Sequence, residues 1–189
     1  MAIGLLGGAF DPPHVGHLRL ARAAIDQLGL ERLLVRVVES PGHKSVSTPA
    51  HIRLRLARLA FETIAEAEVE LDRHERTVDS LEELRLGGAY FIVGADELAD
   101  FWGWKRPERV LELARLAVAA RPDVPRDDLQ AALRRFPSPD RVTFFELEPT
   151  PVSSTEVRNR ISRGESIEGL VSPEVAIEIA RLGLYTTSK

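Results

Sequence analysis

The chain has 189 residues, with 25 Lys and Arg against 29 Asp and Glu, a formal net charge of −4 and no cysteine. Such a length fits one α/β domain over residues 1–189 and leaves two full domains cramped. The charge argues against a dedicated nucleic-acid binder, the missing cysteines exclude disulfides and thiolate metal sites, and no apolar run has the length of a membrane span. The opening MAIGLLGG lacks both a basic segment and a long apolar one, so no secretory signal is expected and the cytoplasm is the default location. Neither nucleic acid nor membrane is an expected partner; a homo-oligomer is left open.

In chain order, residues 3–6 form a short apolar run, residues 7–17 a turn (GGAFDPPHVGH), and residues 18–28 an amphipathic stretch. That order reads as strand, glycine turn and helix. The glycines Gly7 and Gly8 let the backbone approach a phosphate chain, and the helix start offers unpaired N–H groups to an anion. His14 and His17, three residues apart, face one spot as neutral donors or imidazolium groups, which suits a phosphoryl group gaining charge in a transition state. Their HxxH spacing also admits zinc, but the sequence names no third ligand.

Residues 33–38 and 89–93 read as buried strands of a parallel sheet, with residues 69–71, 116–120 and 142–147 as further strands. Thr48 before Pro49 is read as the N-cap of a helix running towards Thr63, with Arg53, Arg55 and Arg58 on its solvated face. Residues 126–136 suggest a polar amphipathic helix, and Ser172-Pro173 opens a last helix that stops near Gly183. Loops 42–47 and 122–126 are expected to move. The β/α alternation predicts a doubly wound, Rossmann-like parallel sheet with its ligand at the carboxyl ends of the strands.

Three further stretches carry chemistry. In VSSTEVR (residues 152–158), Ser153 and Glu156 have capping-box spacing, while the hydroxyls of Ser153, Ser154 and Thr155 and the first amides make a second phosphate cradle. Arg158, a turn further on, offers a planar cation. In FIVGAD (residues 91–96), Gly94 permits close approach, and Asp96 either accepts from ribose hydroxyls or caps a helix. Trp104 presents a flat face to a ring, with neighbouring Trp102 the candidate for core packing. His43, His51 and His74 read as surface residues.

The turn GGAFDPPHVGH resembles the GG(T/S)FDPxHxGH signature of bacterial nicotinate-nucleotide adenylyltransferases, within the HxGH nucleotidylyltransferase superfamily; Ala9 replaces the usual hydroxyl residue. VSSTEVR is similar to the ISSTxxR motif of that superfamily, TVDSL (residues 77–81) to a TxDTL element, and FIVGAD with Phe101 and Trp104 to an (F/Y)IxGAD…FxxW block. Pro41-Gly42-His43-Lys44 resembles a PPHK loop, and residues 170–185 the family ending; only residues 123–141 match weakly.

The resemblance implies that the 5′-phosphate of nicotinate mononucleotide attacks the α-phosphorus of ATP, giving nicotinate adenine dinucleotide and pyrophosphate without a covalent intermediate. It implies catalytic roles for His14, His17 and Arg158. ATP then falls to Gly7, Gly8, Ala9, Phe10 and Gly16 on one side, and to Gly94, Asp96, Ser153, Ser154, Thr155 and Arg158 on the other. The mononucleotide falls to Asp11, Lys44, Thr77, Asp79 and Trp104. Mg²⁺ is expected to travel with ATP, since no carboxylate cage is apparent. Adenylation of nicotinamide mononucleotide or phosphopantetheine, and a non-catalytic adenine-nucleotide sensor, are the alternatives.

Overall fold

The computed structural model describes residues 1–42, 46–120, 124–125, 127, 131, 133–134 and 136–186, with Asp96 described by its backbone alone. Its frame is a sheet of six strands: β1 (Ile3–Gly8), β2 (Arg32–Val38), β3 (Ala67–Asp72), β4 (Tyr90–Gly94), β5 (Arg115–Ala120) and β6 (Val142–Glu146). Every pairing is parallel and the spatial order is β3-β2-β1-β4-β5-β6. The order reverses between β1 and β4, and a doubly wound sheet opens a crevice at that point.

Among the described residues, seven α-helices connect the strands: α1 (Val15–Leu28), α2 (Ala50–Phe61), α3 (Thr77–Leu84), α4 (Ala95–Ala99), α5 (Pro107–Leu113), α6 (Ser154–Ser162) and α7 (Pro173–Leu182). Strand side chains alternate between two cores. Leu33, Val35 and Val37 pack with Ala21 of α1, Leu56 of α2, Val157 of α6 and Ile179 of α7. Leu34, Leu116 and Val118 pack on the other face with Val78 of α3 and Val110 of α5. The predicted doubly wound architecture is therefore the observed one. No described helix is long and apolar enough to cross a membrane.

Several element boundaries differ from the sequence reading for local reasons. Helix α1 begins at Val15 because His14 is extended (φ −139°, ψ 170°) and serves as N-cap; it closes at Gly29 in the left-handed region (φ 62°). The N-cap of α2 is Pro49, so Thr48 is displaced from capping and becomes buried. Strand β3 is longer than its apolar residues 69–71 because Glu68 and Glu70 pair with Arg32 and Arg36 of β2. Ser172 accepts from the Val175 N–H and Gly183 ends α7, as its cap residues dictate. The short α4 and α5 carry too few turns to show a periodic stripe. The helix read at residues 126–136 and the loop at 122–126 lie largely outside the described residues, as do residues 43–45 of the loop 42–47.

Candidate active site

A cleft of about 490 Å³ opens at the carboxyl ends of β1 and β4. It is lined by the end of β1 (Gly7 and Gly8) and the turn after it, with Asp11, His14 and His17, and by Ser153, Ser154, Thr155 and Arg158 at the start of α6. The two predicted phosphate cradles thus face one space.

Packing beneath the cleft explains the turn sequence. Phe10 is 1% exposed at φ 50°, its ring against Phe61 (5.8 Å) and His17 (4.9 Å). A Cβ on Gly8 would stand 3.0 Å from that ring, and one on Gly16 would stand 3.0 Å from the His14 imidazole. Those two glycines therefore serve close packing inside the turn, and Phe10 offers a ligand its backbone alone. Gly7 has only ordinary contact with Phe91, and Gly16 does not line the cleft.

The two imidazoles stack with centroids 3.8 Å apart, their planes tilted by 30°. His17 Nδ1 accepts the His14 backbone N–H at 3.1 Å, so a neutral His17 carries its proton on Nε2 as a donor. Burial lowers the His14 pKa to about 4, and its Nδ1 is enclosed with no hydrogen-bond partner among the described residues. His14 is thus a neutral imidazole at pH 7; of the two states open from sequence, this one is set by desolvation.

Helix α6 closes the other wall. Ser153 Oγ accepts the Glu156 N–H at 3.1 Å, while the Glu156 carboxylate accepts from Arg160, leaving half a capping box. Ser154 Oγ donates to the Pro12 carbonyl at 2.8 Å, and Arg158 Nη1 donates to the Asp11 carbonyl at 2.6 Å. These two bonds join α6 to the turn across 142 and 147 residues of chain. They hold two helix N-termini, with their partial positive charge, towards one cavity.

Asp11 is buried, and its carboxylate accepts the Tyr185 hydroxyl at 2.6 Å. Its side chain is engaged by the chain itself. At the end of β4, Glu97 lines the cleft and its carboxylate accepts the Gly94 N–H at 2.6 Å, as a residue in the first turn of α4 can. Gly94 reaches the cleft only through Glu97.

Thr77, Asp79 and Trp104 form a second cluster outside this lining. Thr77 opens α3, and the Asp79 carboxylate accepts from Lys105 Nζ at 2.9 Å and from Arg106. That ion pair fixes the residue after Trp104 to α3, two positions beyond Thr77. Trp104 lies half-buried between Phe91 (5.9 Å) and Phe101 (5.3 Å), and Phe91 in turn meets the space above Gly7. Trp102, expected to fill the core, is the more exposed of the pair at 37%. Lys44 and the Asp96 side chain lie outside the described residues.

Arg53, read as solvated, is 1% exposed. Its guanidinium donates to four carbonyls at 2.7–2.9 Å: Ala9 in the turn, Val38 and Glu39 after β2, and Thr48 before α2. Burial pushes its pKa down, and the nearby Asp11 carboxylate opposes that shift. The signal was present: Arg53, Leu56, Ala57 and Ala60 fall at i, i+3, i+4 and i+7, so Arg53 sits on the buried stripe. His74, read as a bare surface residue, bonds to buried Asp72 at 3.1 Å.

Comparison with known proteins agrees with this geometry. The Cytidylyltransferase-like family matches residues 5–160. A protein of Exiguobacterium sibiricum named "probable nicotinate-nucleotide adenylyltransferase" is 35% identical over 99% of this chain and 100% of its own. One of the same name from Thermus thermophilus is 37% identical over 98% of this chain and 100% of its own. The fold superposes on Plasmodium falciparum nicotinic acid mononucleotide adenylyltransferase complexed with NaAD with a TM-score of 0.78, covering 97% of both chains at 17% identity. With its glycine turn, facing helix starts and full-length relatives in agreement, the chain belongs to the nicotinate-nucleotide adenylyltransferase family of cytidylyltransferase-like enzymes.

Proposed function

We propose that the chain transfers the adenylyl group of ATP to the 5′-phosphate of nicotinate mononucleotide. A phosphate oxygen of the mononucleotide forms a bond to the α-phosphorus, the bond from that phosphorus to the β-bridging oxygen breaks, and pyrophosphate leaves with the electron pair. The observation that carries this reading is the convergence of two helix N-termini, stacked His14 and His17, and Arg158 on one cleft. Such a site stabilises charge on phosphoryl oxygens by fixed donors, and positioning with charge stabilisation is what phosphoryl transfer requires.

In this reading His17 Nε2 and neutral His14 donate to oxygens that gain charge, and Arg158 supplies the fixed positive charge. The backbone of Gly7 to Phe10 and the start of α6 with Ser153 and Thr155 take the phosphates, while Ser154 spends its hydroxyl on Pro12. Gly16 acts by letting His14 pack closely. Gly94 and Asp96 are assigned to the ATP ribose and Lys44 to the mononucleotide phosphate. Trp104 stacks on the pyridine ring and Asp79 acts through the placement of Trp104, whereas Asp11, its carboxylate taken by Tyr185, is assigned to the turn that carries ATP and not to the mononucleotide. The two carboxylates in the cleft lining are engaged, Asp11 by the Tyr185 hydroxyl and Glu97 by the Gly94 N–H, so Mg²⁺ is assigned to the phosphates of ATP, where it would neutralise their charge.

The amides around Thr77 at the start of α3 favour a ring carboxylate over a carboxamide through the helix partial charge. Incubation with ATP and nicotinate mononucleotide is expected to release pyrophosphate and the dinucleotide in equal amounts. Nucleotide binding without pyrophosphate release would make the chain a sensor and overturn the reading.

A further inference from the structure

The turn after β1 is gripped from both sides at Asp11. Its carboxylate takes the Tyr185 hydroxyl at 2.6 Å, and its peptide carbonyl takes Arg158 Nη1 at 2.6 Å. Tyr185 stands just past the end of α7 with φ 63°, a conformation that bulky residues avoid unless their surroundings impose it. Those surroundings are specific. Gly183 turns the chain back at the end of α7, and Arg55 Nε of α2 pairs with Glu178 of α7 at 2.6 Å. Thr48 and Arg53 flank the Tyr185–Asp11 pair from the side of α2. Burial pushes the Tyr185 hydroxyl above the usual phenol range, and the Asp11 bond adds to that, so the group remains a donor.

We propose that Tyr185 is a positioning residue for adenylyl transfer: its hydroxyl fixes Asp11, and through the Asp11 peptide it sets where the Arg158 guanidinium meets the phosphates. The proposal rests on the placement of Arg158 on ATP argued above. A hydroxyl, a carboxylate and a peptide carbonyl thus carry the C-terminal segment's order into the cleft. The mononucleotide cluster around Trp104 shares none of these bonds. Loss of the hydroxyl therefore alters the ATP side and spares the mononucleotide side. A role confined to packing C-terminal residues would treat both substrates alike.

The test is Tyr185→Phe, which keeps the ring and removes the hydroxyl, compared with Arg158→Lys and the double variant. For Tyr185→Phe, kcat is expected to fall about tenfold and ATP affinity about threefold, from loss of one bond to a charged group. The KM for nicotinate mononucleotide stays near the parent value, while the melting temperature falls by a few degrees because the buried Asp11 carboxylate loses a donor. In the Arg158→Lys background the same change has little further effect, because the two residues act as one unit. Unchanged kcat and ATP affinity, additive effects in the double variant, or a joint loss of both substrates would each overturn the proposal. ATP affinity measured by calorimetry decides it without turnover. An inactive parent chain would count against the adenylyl-transfer reading, and the calorimetric cycle would still judge Tyr185.

Discussion

The two halves of the site are built by opposite means. On the nucleotide side, backbone carbonyls do the holding: Arg158 binds the Asp11 carbonyl, Ser154 the Pro12 carbonyl, and Arg53 the carbonyls of Ala9, Val38, Glu39 and Thr48. Removing any of these donors leaves a carbonyl short of a partner, which is costly where it is buried. On the side proposed for the pyridine, the Asp79–Lys105 and Arg106–Glu82 ion pairs hold Trp104's segment to α3, with the Lys105 and Arg106 side chains about half exposed. Exposed pairs of that kind contribute little and weaken with salt. The contrast is functional. Charge stabilisation at a transferring phosphoryl group needs donors fixed in place before the substrate arrives, whereas a stacked ring tolerates small displacements of its platform.

The largest expected effect breaks the rigid half. His17→Ala is expected to lower kcat about a hundredfold, the roughly 3 kcal/mol that one transition-state donor supplies, with ATP affinity within about threefold of the parent. Steady-state kinetics with calorimetry separates the two, and near-normal kcat would remove His17 from the chemistry.

Next comes the acid stability of the same half. His14 titrates at about 4 in the folded chain against 6.5 when unfolded, so the unfolded state takes up the proton first as pH falls. Stability is complete above pH 6.5 and lost progressively down to pH 4, by up to about 3 kcal/mol. Urea midpoints against pH for the parent and His14→Gln test this: the two curves should converge as pH falls, and parallel curves would contradict the buried neutral imidazole.

The softer half gives smaller numbers. Trp104→Ala should weaken nicotinate mononucleotide by about 1 to 2 kcal/mol through lost stacking and burial, with ATP affinity unchanged. An equal loss for both ligands would mean that Trp104 supports the whole fold. Asp79→Asn should cost less than about 1 kcal/mol of stability and shift less again in high salt, as chemical denaturation at two ionic strengths can show. A larger, salt-independent loss would place that pair among the rigid elements.

The sequence made the rigid half legible where the chemistry was local. A glycine turn before a helix, two histidines one turn apart and serines at a helix start mean much the same in any context. Long-range requirements were hidden. Arg53 looks like its neighbours Arg55 and Arg58 until the i, i+3, i+4 spacing to Leu56 and Ala57 is counted, and nothing near Tyr185 points to Asp11, 174 residues away. Trp102 and Trp104 both pack on Phe101, and nothing in the sequence shows that Trp104, which also meets Phe91, is the less exposed of the two. Phe10 and Asp11 belong to a nucleotide-binding motif, yet their side chains serve the turn itself.

The pyridine preference tests the central functional claim most directly. In the proposed site, a carboxylate on the ring would gain charge-assisted bonds at the start of α3 that a carboxamide would not. The account therefore predicts a kcat/KM at least about tenfold higher for nicotinate mononucleotide than for nicotinamide mononucleotide, with ATP saturating. Equal values for the two mononucleotides would contradict it.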